Sequence, residues 1–524
     1  MTNKYFYLTL LAVLGFNIEA ESQEVRNAPR MVVSIAIDQL RSDYLEAFMP
    51  LYSQNGFRLL LSEGLVYQNV SYPFAPIDRA SAIAAISSGV TPYYNRITGE
   101  HWLNRETLRP VYCVDDTNFP GILTQETASP NQLCTSTLSD ELKVATNGRA
   151  IVYAIAPYRD AAVLSAGHAA DGAFWIDDRN GEWCSSRYYF TAYPSWARAY
   201  NDLQAPRKKI QTVTWEPVND LVGNFSYFMQ TGLQKPFKHS FKGEQCYREY
   251  KASAMVNEDV TNMAMQCSAS TGMGTDKVTD MIAITYYAGS YNHHAIADHQ
   301  VELQDTYVRL DLEIARLIKF YEERCGKDNV LFVLTSTGYC DEEQTDYKKY
   351  RIPSGTFYLS RTANLMNMYL GAIWGQGQYV EAYFRNQIYL NHKLLETKKI
   401  SISEASSRAQ ELLAMMSGVR NVYTSLQLIT DNNEHLRKIR NGFNAEHCGD
   451  LVIETAPGWN LLNEDTQEQE LVRASFTPFP IIIFGTGIKG ERVQAPVTTD
   501  RIAPTVARAI RIRAPNACSA APLF

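Results

Sequence analysis

The sequence predicts an α/β protein with a doubly wound, mostly parallel sheet that is flanked by helices and carries inserted segments. Three observations support this fold class: short apolar runs typical of buried strands, helical patterns between them, and no Pro/Ser-rich linker or internal repeat in the 524 residues. Strands that alternate with helices form a parallel sheet covered on both faces. We therefore expect one large core.

Five apolar runs have the length and composition of parallel strands that are buried on both faces. They lie at residues 31–37, 150–156, 281–286, 330–334 and 480–484. Helical patterns lie between them, for example at residues 137–146 and 305–318. The stretch from about residue 356 to 446 has a mainly helical pattern, and we expect it to be an insertion beside the core.

The amino terminus has the pattern of a secretory signal peptide. Lys4 precedes an apolar stretch at residues 5–16, and small residues end the segment before Gln23. The apolar stretch is shorter than the roughly 20 residues of a membrane-spanning helix. We expect a signal peptide at residues 1–22 and a mature chain at residues 23–524 without a transmembrane segment. The protein should be exported, and periplasmic or associated with an outer membrane.

Charge and cysteine content narrow the function classes. A net charge of −7 argues against a nucleic-acid partner, which would need a surface of clustered Lys and Arg. Nine cysteines in an exported chain favour disulfides, at most four of them with one thiol left over. None of the nine has the CxxC spacing of a structural zinc site.

Two of the predicted strands end very differently. The run at residues 31–37 leads into Asp38, whereas the run that begins at residue 330 leads into Thr337 and Gly338. Ligands and metals in open α/β sheets gather at the carboxyl ends of the strands. Asp38 therefore has the character of a metal ligand, whereas Thr337 and Gly338 have the character of a ligand position that has been emptied.

Many short motifs, in order along nearly the whole chain, resemble one superfamily. Residues 129–133, 137–146 and 159–175 are similar to the alkaline phosphatase superfamily, in particular to its bacterial phosphate-irrepressible alkaline phosphatases, which group with the type I phosphodiesterase/nucleotide pyrophosphatases. Further stretches that resemble this branch lie at residues 88–92, 99–102, 351–355, 388–391, 448–450, 456–459 and 502–516. The resemblance implies an alkaline phosphatase-like fold.

The resemblance also implies a mechanism for active members. Two zinc ions held by Asp and His side chains activate a Thr or Ser, which attacks phosphorus and forms a phosphoryl-enzyme intermediate. Two neighbouring divalent ions need several carboxylates and imidazoles around them, and they stabilise the attacking and leaving oxygens. Without most of those ligands, the ions have no reason to bind.

Carried over position by position, the resemblance leaves two of seven catalytic positions intact. The first metal-binding acid falls on Asp38, and the Asp-x-x-x-His pair falls on Gly289 and His293. The nucleophile falls on Arg79, which cannot act as one.

Most of the remaining positions have also lost the side chain that the family's mechanism needs. The adjacent Asp-His pair falls on Thr337 and Gly338, and the last metal-binding His falls on Pro478 or its neighbours. An Asn that contacts phosphate corresponds to Glu100, whose charge would repel phosphate, although a substrate-binding Arg is kept as Arg159.

Two hypotheses concern Arg79. The guanidinium either occupies the space of the missing zinc ions and pairs with Asp38, or it points to solvent while Asp38 caps a helix; we favour pairing, because an unpaired buried charge is costly. A small shift of the alignment would bring Asp78 or Ser81 to the nucleophile position instead.

The histidines admit a further hypothesis. His293 and His294, with Asp298 and His299 nearby, form either a relocated metal site or a solvated loop. His168 lies in a stretch that resembles a fold-forming region of the superfamily, and we expect it to be structural.

Two classes of function remain. The first, which we prefer, is an exported pseudoenzyme without a cofactor, whose scaffold binds another protein of the bacterial cell envelope. The alternative is a metal-dependent hydrolase of phosphate or sulfate esters, with zinc in a rebuilt site around Asp38, His293 and His294. Fold alone does not decide between them.

Overall fold

The structure is a computed structural model that describes residues 28–223, 237–340, 349–431, 433–470 and 477–524. The expected signal peptide at residues 1–22 lies outside the described residues. Within the described ranges, no helix is both long enough and apolar enough to cross a membrane.

The strands are numbered in chain order. They are β1 Met31–Asp38, β2 Leu65–Ser71, β3 His101–Asn104, β4 Arg109–Tyr112, β5 Gly121–Ile122, β6 Val152–Ile155, β7 Gly172–Ile176, β8 Trp183–Ser186, β9 Thr214–Trp215, β10 His239–Ser240, β11 Asp280–Tyr287, β12 Val330–Ser336, β13 Gly355–Tyr358, β14 Val380–Phe384, β15 Gln387–Leu390, β16 Val419–Thr424, β17 Leu451–Thr455, β18 Trp459–Asn463, β19 Glu468–Glu470, β20 Phe479–Gly485, β21 Glu491–Val493 and β22 Val497–Thr498.

The helices are numbered in the same way. They are α1 Ser42–Ala47, α2 Phe57–Glu63, α3 Arg79–Ser88, α4 Pro92–Asn95, α5 Leu138–Ala145, α6 Arg159–Ala166, α7 Ser195–Gln204, α8 Pro206–Lys209, α9 Cys246–Lys251, α10 Met255–Thr271, α11 Gln300–Cys325, α12 Leu359–Trp374, α13 His392–Thr397, α14 Ile402–Ala414, α15 Ser425–Thr430, α16 Arg437–Gly442 and α17 Ile502–Ala509.

One large sheet organises the molecule. Its strand order is β21-β2-β20-β12-β1-β11-β6-β7-β8-β5, and β22 pairs with β2. The central strands β12, β1, β11, β6 and β7 run parallel, and four of the five apolar runs form strands of this group. The predicted α/β class with a mostly parallel sheet is therefore confirmed.

The fifth run, at residues 480–484, corrects the prediction of an all-parallel set. It forms β20, which pairs antiparallel with both β12 and β2. A continuous apolar run reports burial on both faces and carries no information about strand direction.

The strand β1 lies between two apolar cores, because successive side chains of a strand point to opposite faces. Val33, Ile35 and Ile37 pack in the core that contains α10 and α11. Val32 and Ala36 pack in the core that contains α3 and α6. Helices cover both faces of β1, and its carboxyl end lies at one edge of the sheet.

The stretch at residues 356–446 contains α12 to α16, and it also contains strands that the sequence pattern did not predict. Strands β14, β15 and β16 join β17 in a four-stranded sheet of order β14-β15-β17-β16. Apolar residues of this sheet pack with α12 and α14 in a core of their own. Most residues of β14 and β16 are not buried, so no continuous apolar run marks these strands.

The cysteines correct another expectation. All nine lie in the described residues, and none is bridged to another, so the predicted disulfides are wrong for this structure. Six are buried, where a thiol packs as a small apolar group.

His168 holds the start of α5 against the end of α6. Its ring Nδ1 lies 3.0 Å from Oδ2 of Asp140, and its ring Nε2 lies 3.0 Å from the carbonyl oxygen of Leu133. Asp140 also forms the capping box of α5 with Thr137. The hydrogen bond with Asp140 raises the pKa of His168, because the imidazolium satisfies both acceptors. These contacts are structural, as expected.

We expect His168→Asn to remove a pH-dependent part of the stability, about 1–2 kcal/mol at low pH. A group whose pKa is raised on folding stabilises the protein below its unfolded pKa, and this contribution is lost as pH rises through the folded pKa. Wild-type stability should therefore fall as pH rises above about 6.5, more steeply than that of the variant. Urea unfolding at acidic and basic pH measures this difference. The exposed His435 provides the control His435→Asn, and equal slopes for wild type and His168→Asn would contradict the prediction.

Candidate functional site

The carboxyl ends of β1 and β12 and the amino end of α3 meet at one edge of the central sheet. Asp38 ends β1 and is 1% exposed, and Thr337 follows β12 and is fully buried. Arg79 is the first residue of α3, whose small side chains pack in the core on this face of the sheet. The helix dipole opposes a cation at a helix amino terminus, so Arg79 requires anionic partners.

Arg79 contacts three carboxylates. Its Nε donates to Oδ2 of Asp160 at 2.9 Å and to Oδ1 at 3.2 Å. Its Nη2 lies 3.0 Å from Oε1 of Glu100, and its Nη1 lies 3.7 Å from Oδ2 of Asp38. The guanidinium carbon lies 3.9 Å from the ring centroid of Tyr158. These five residues are called the Arg79 cluster below.

The Arg79 cluster contains the predicted pairing of Arg79 with Asp38, but this contact is the longest of the three that Arg79 makes with carboxylates. The shortest contact is with Asp160, which sequence reasoning missed. Asp160 is the second residue of α6 and is fully buried. The sequence signal that could have identified Asp160 is an acid next to Arg159 at the start of a mostly apolar helical run.

The cluster joins one cation to three acids. Burial alone would lower the pKa of Arg79, but Asp160 and Glu100 outweigh it and raise that pKa well above its ordinary value. Burial raises the pKa of Glu100 to about 7 although Arg79 opposes the rise. Burial likewise raises the pKa of Asp38, against the effect of Arg79. The site therefore has an excess of acidic groups, which disfavours a phosphate dianion.

Thr337 forms a hydrogen bond with the acid of β1. Its Oγ1 donates to Oδ1 of Asp38 at 2.9 Å and accepts from the backbone N of Gln39 at 2.9 Å. A carboxylate at this position would lie against Asp38 and repel it, whereas the hydroxyl satisfies it.

Neighbouring side chains occupy the space that a side chain at Gly338 or Gly289 would need. Gly338 has a φ of +72°, and a Cβ there would lie 2.5 Å from the ring of Tyr72. A Cβ on Gly289 would lie 2.6 Å from Oη of Tyr287 and 2.8 Å from Oε1 of Gln39. Neither backbone position accepts a larger side chain without rearrangement of these neighbours.

The structure brings one other candidate residue close to Asp38. His293 is exposed, with its ring centroid 5.8 Å from that of Tyr287, and its charge opposes the burial that raises the pKa of Asp38. Pro478 is exposed, and its carbonyl oxygen accepts from the backbone N of Ser42 at 2.8 Å.

Arg159 is directed away from the Arg79 cluster by other partners. Its Nη1 lies 2.8 Å from Oδ1 of Asp115 and donates to the carbonyl oxygen of Thr127 at 2.6 Å. Its guanidinium carbon lies 4.3 Å from the ring centroid of Tyr112.

Asp78 and Ser81 form the capping box of α3. The carboxylate of Asp78 accepts from the backbone N of Ser81 at 3.0 Å, and Ser81 Oγ accepts from the backbone N of Asp78 at 3.0 Å. Both side chains thus satisfy free backbone groups of the helix end, which leaves the alternative nucleophile hypothesis without support.

The arrangement of the loop histidines differs from the relocated metal site that the sequence suggested for His293, His294, Asp298 and His299. His294 Nδ1 lies 3.2 Å from His299 Nε2, and the other ring nitrogen of His299 lies 3.0 Å from Oε1 of Glu302. Asp298 is exposed and belongs to no such group among the described residues. His239 joins His299 and Glu302 from strand β10, which lies far from them in the sequence, and no local sequence signal connects it with them.

Comparison with known proteins decides the family. The profile of the "Type I phosphodiesterase / nucleotide pyrophosphatase" family matches residues 32–476. The chain belongs to this family.

Relatives cover nearly all of the chain. It is 26% identical over 527 residues to the "Calcium-transporting ATPase" of Myroides odoratus, a match that covers 96% of this chain and 95% of that protein. It is 27% identical over 511 residues to "Alkaline phosphatase PhoV" of Synechococcus elongatus, with 93% and 91% covered. It is 26% identical over 543 residues to "Alkaline phosphatase PafA" of Elizabethkingia meningoseptica, with 100% and 99% covered.

The fold agrees with a solved relative. The crystal structure of wild-type PafA superposes with a TM-score of 0.81 and 24% identity, covering 95% of this chain and 98% of that one. The alkaline phosphatase-like fold is therefore confirmed for this member of the type I phosphodiesterase/nucleotide pyrophosphatase family.

A two-zinc centre does not fit the residues present at this edge of the sheet. Of the seven catalytic positions carried over by resemblance, only those at Asp38 and His293 hold metal-binding side chains, and Asp38 contacts Arg79 and Thr337. A Cβ at Gly289 or Gly338 would overlap its neighbours. Two zinc ions carry four positive charges, and the three acids of the Arg79 cluster already share one guanidinium.

We expect Arg79→Ala to lower the free energy of unfolding by about 3–5 kcal/mol, because three carboxylates would lose their common cation. Urea unfolding near neutral pH measures the change. Arg96, which pairs with Glu446 at the surface, provides the control Arg96→Ala, for which at most about 1 kcal/mol is expected. Similar losses in the two variants would contradict the energetic role of the cluster.

We expect Glu100→Gln to flatten the pH dependence of stability. The pKa of Glu100 is raised from 4.5 to about 7, so the folded protein binds this proton more tightly than the unfolded chain does. The free energy of unfolding of the wild type should therefore fall as pH rises through that window. Unfolding of wild type and variant at several pH values tests this, with Glu446→Gln at the surface as the control. Parallel curves for wild type and Glu100→Gln would refute the role of Glu100.

Proposed function

We propose that this chain is an exported, alkaline phosphatase-like pseudoenzyme that acts as a binding or scaffold component of the bacterial cell envelope. One observation carries the proposal: the guanidinium of Arg79 lies within 2.9–3.7 Å of Asp160, Glu100 and Asp38. A guanidinium in this setting is permanently protonated and cannot attack phosphorus.

The filled glycine positions support the loss of hydrolysis. A Cβ at Gly338 would require the ring of Tyr72 to move, and a Cβ at Gly289 would require Tyr287 and Gln39 to move, so the present packing opposes metal ligands at these positions. The surplus of acids around Arg79 disfavours binding of a phosphate group. Each of these features opposes a different step of two-zinc hydrolysis: metal binding, substrate binding and nucleophilic attack.

The retained fold supports a binding role. The whole α/β core is similar to that of PafA at a TM-score of 0.81, although most of the catalytic positions carried over by resemblance hold other residue types in this chain. The amino-terminal pattern supports export, and a protein of the cell envelope is the partner that fits an exported scaffold. No cofactor is part of this proposal.

The comparisons favour a second candidate, a metal-dependent hydrolase of phosphoric or sulfuric esters. Relatives named alkaline phosphatases match 93% and 100% of this chain. Such a hydrolase would require zinc in a rebuilt site around Asp38, His293 and His294. In the structure Asp38 is buried in the Arg79 cluster and both histidines are exposed, although the charge of His293 acts on Asp38.

Hydrolysis and zinc content of the wild type and of Asp38→Ala separate the two candidates. We expect no turnover of an aryl phosphate, a phosphodiester or an aryl sulfate that depends on Asp38, and no zinc that is lost in the variant. The reason is that Asp38 serves the Arg79 cluster instead of a metal. Purified PafA assayed in parallel is the positive control for the substrates.

Turnover and bound zinc that both disappear in Asp38→Ala would establish the hydrolase and refute the pseudoenzyme. The binding role is tested separately by affinity purification of the tagged full-length chain from its native envelope. A stoichiometric envelope protein is the expected result. Recovery of the chain alone, confirmed by its mass in solution, would contradict the scaffold role.

A further inference from the structure

A group of metal-binding side chains lies apart from the Arg79 cluster. His239 is in β10, His299 immediately precedes α11, and Glu302 is in the first turn of α11. β10 pairs antiparallel with β9, and His239 lies next to the amino end of α11, although His299 is 60 positions further along the chain.

The ligand atoms of these three residues converge. His239 Nε2 lies 2.8 Å from Oε1 of Glu302, and His299 Nδ1 lies 3.0 Å from the same oxygen. All three potential ligand atoms lie within 4.8 Å of one another. Around a tetrahedral zinc ion with bonds of about 2.0–2.1 Å, neighbouring ligand atoms are roughly 3.3 Å apart. The two nitrogen–oxygen distances are close to that separation.

We propose that His239, His299 and Glu302 bind one zinc ion. Two imidazoles and one carboxylate form a known type of protein zinc site, in which water or a further ligand takes the fourth position. Glu302 is buried and both histidines are about one-fifth exposed, so the ion would lie near the protein surface with one side accessible to solvent.

A hydrogen-bond partner already orients one of the proposed ligands. A histidine that binds a metal through one ring nitrogen usually forms a hydrogen bond through the other. His299 has this arrangement, because its Nε2 lies 3.2 Å from Nδ1 of His294 while its Nδ1 faces Glu302.

Aromatic side chains fix the ring of His239. Its ring centroid lies 4.3 Å from that of Tyr291 and 5.5 Å from that of Trp215. Trp215 in turn donates its indole N–H to the buried carboxylate of Asp305 at 2.5 Å. An imidazole packed in this way is already oriented towards Glu302, which lowers the entropy lost when a metal binds.

This site does not depend on the pseudoenzyme proposal. Among the described residues, the side-chain hydrogen bonds of His239, His299 and Glu302 join them to one another and to His294, outside the Arg79 cluster. None of the three ligands is a position carried over from the superfamily. A metal lost on changing His239 and a metal lost on changing Asp38 are therefore distinguishable results.

The test uses the metal-depleted full-length protein, titrated with Zn²⁺ and with Co²⁺ as a spectroscopic probe. We expect one ion per chain, a Co²⁺ spectrum without thiolate charge-transfer bands, and a rise in melting temperature on metal addition. His239→Asn and Glu302→Gln should each weaken binding at least about 100-fold, since loss of a residue that merely orients a metal ligand already costs 10–100-fold.

His435→Asn and Asp38→Asn serve as controls and should bind the metal as the wild type does. Circular dichroism of each variant shows whether it is folded. If a variant does not fold, the stoichiometry and Co²⁺ spectrum of the wild type decide the proposal. Less than stoichiometric binding by the wild type, thiolate bands, or unchanged affinity in folded His239→Asn or Glu302→Gln would overturn it.

Discussion

The ion pairs of Arg79 are the constraint on which the candidate site depends. The guanidinium is buried at the amino end of α3, where the helix dipole disfavours it, and an unpaired charge in such a place costs several kcal/mol. Asp160 from α6, Asp38 from β1 and Glu100 must therefore stay close to it. One side chain thus fixes how two helices and the central strand meet at the edge of the sheet.

Burial explains which parts of the fold the sequence could predict. The central strands are buried on both faces, so each appears as an apolar run that is visible without an alignment. The direction of β20 could not be read from such a run, because burial is the same for parallel and antiparallel neighbours. Strands β14 and β16 escaped prediction for the opposite reason, since they lie on a partly exposed sheet and lack a continuous apolar run.

The sequence identified parts of the candidate site in two ways. Asp38 was visible because it directly follows an apolar run, whereas Arg79 and Glu100 were identified only by the resemblance to the superfamily. The structure brings Arg79 within 3.7 Å of Asp38 and 3.0 Å of Glu100, and within 2.9 Å of Asp160, which neither signal indicated. His239 and Glu302 are 63 positions apart, so only the path of the chain through β9 and β10 reveals that they meet.

The substitutions at this edge of the sheet depend on one another. A threonine at position 79 would supply a hydroxyl, but it would also leave Asp38, Glu100 and Asp160 without their common cation. Their mutual repulsion would then destabilise the site, and their uncompensated negative charge would attract another cation. That cation would not find the remaining ligands of a two-zinc centre, because Tyr72 occupies the space beside Gly338 and Gln39 the space beside Gly289. A return to two-zinc chemistry would therefore require several simultaneous changes in the packing as well as in the ligands, and the stability of the present cluster opposes each of them taken alone.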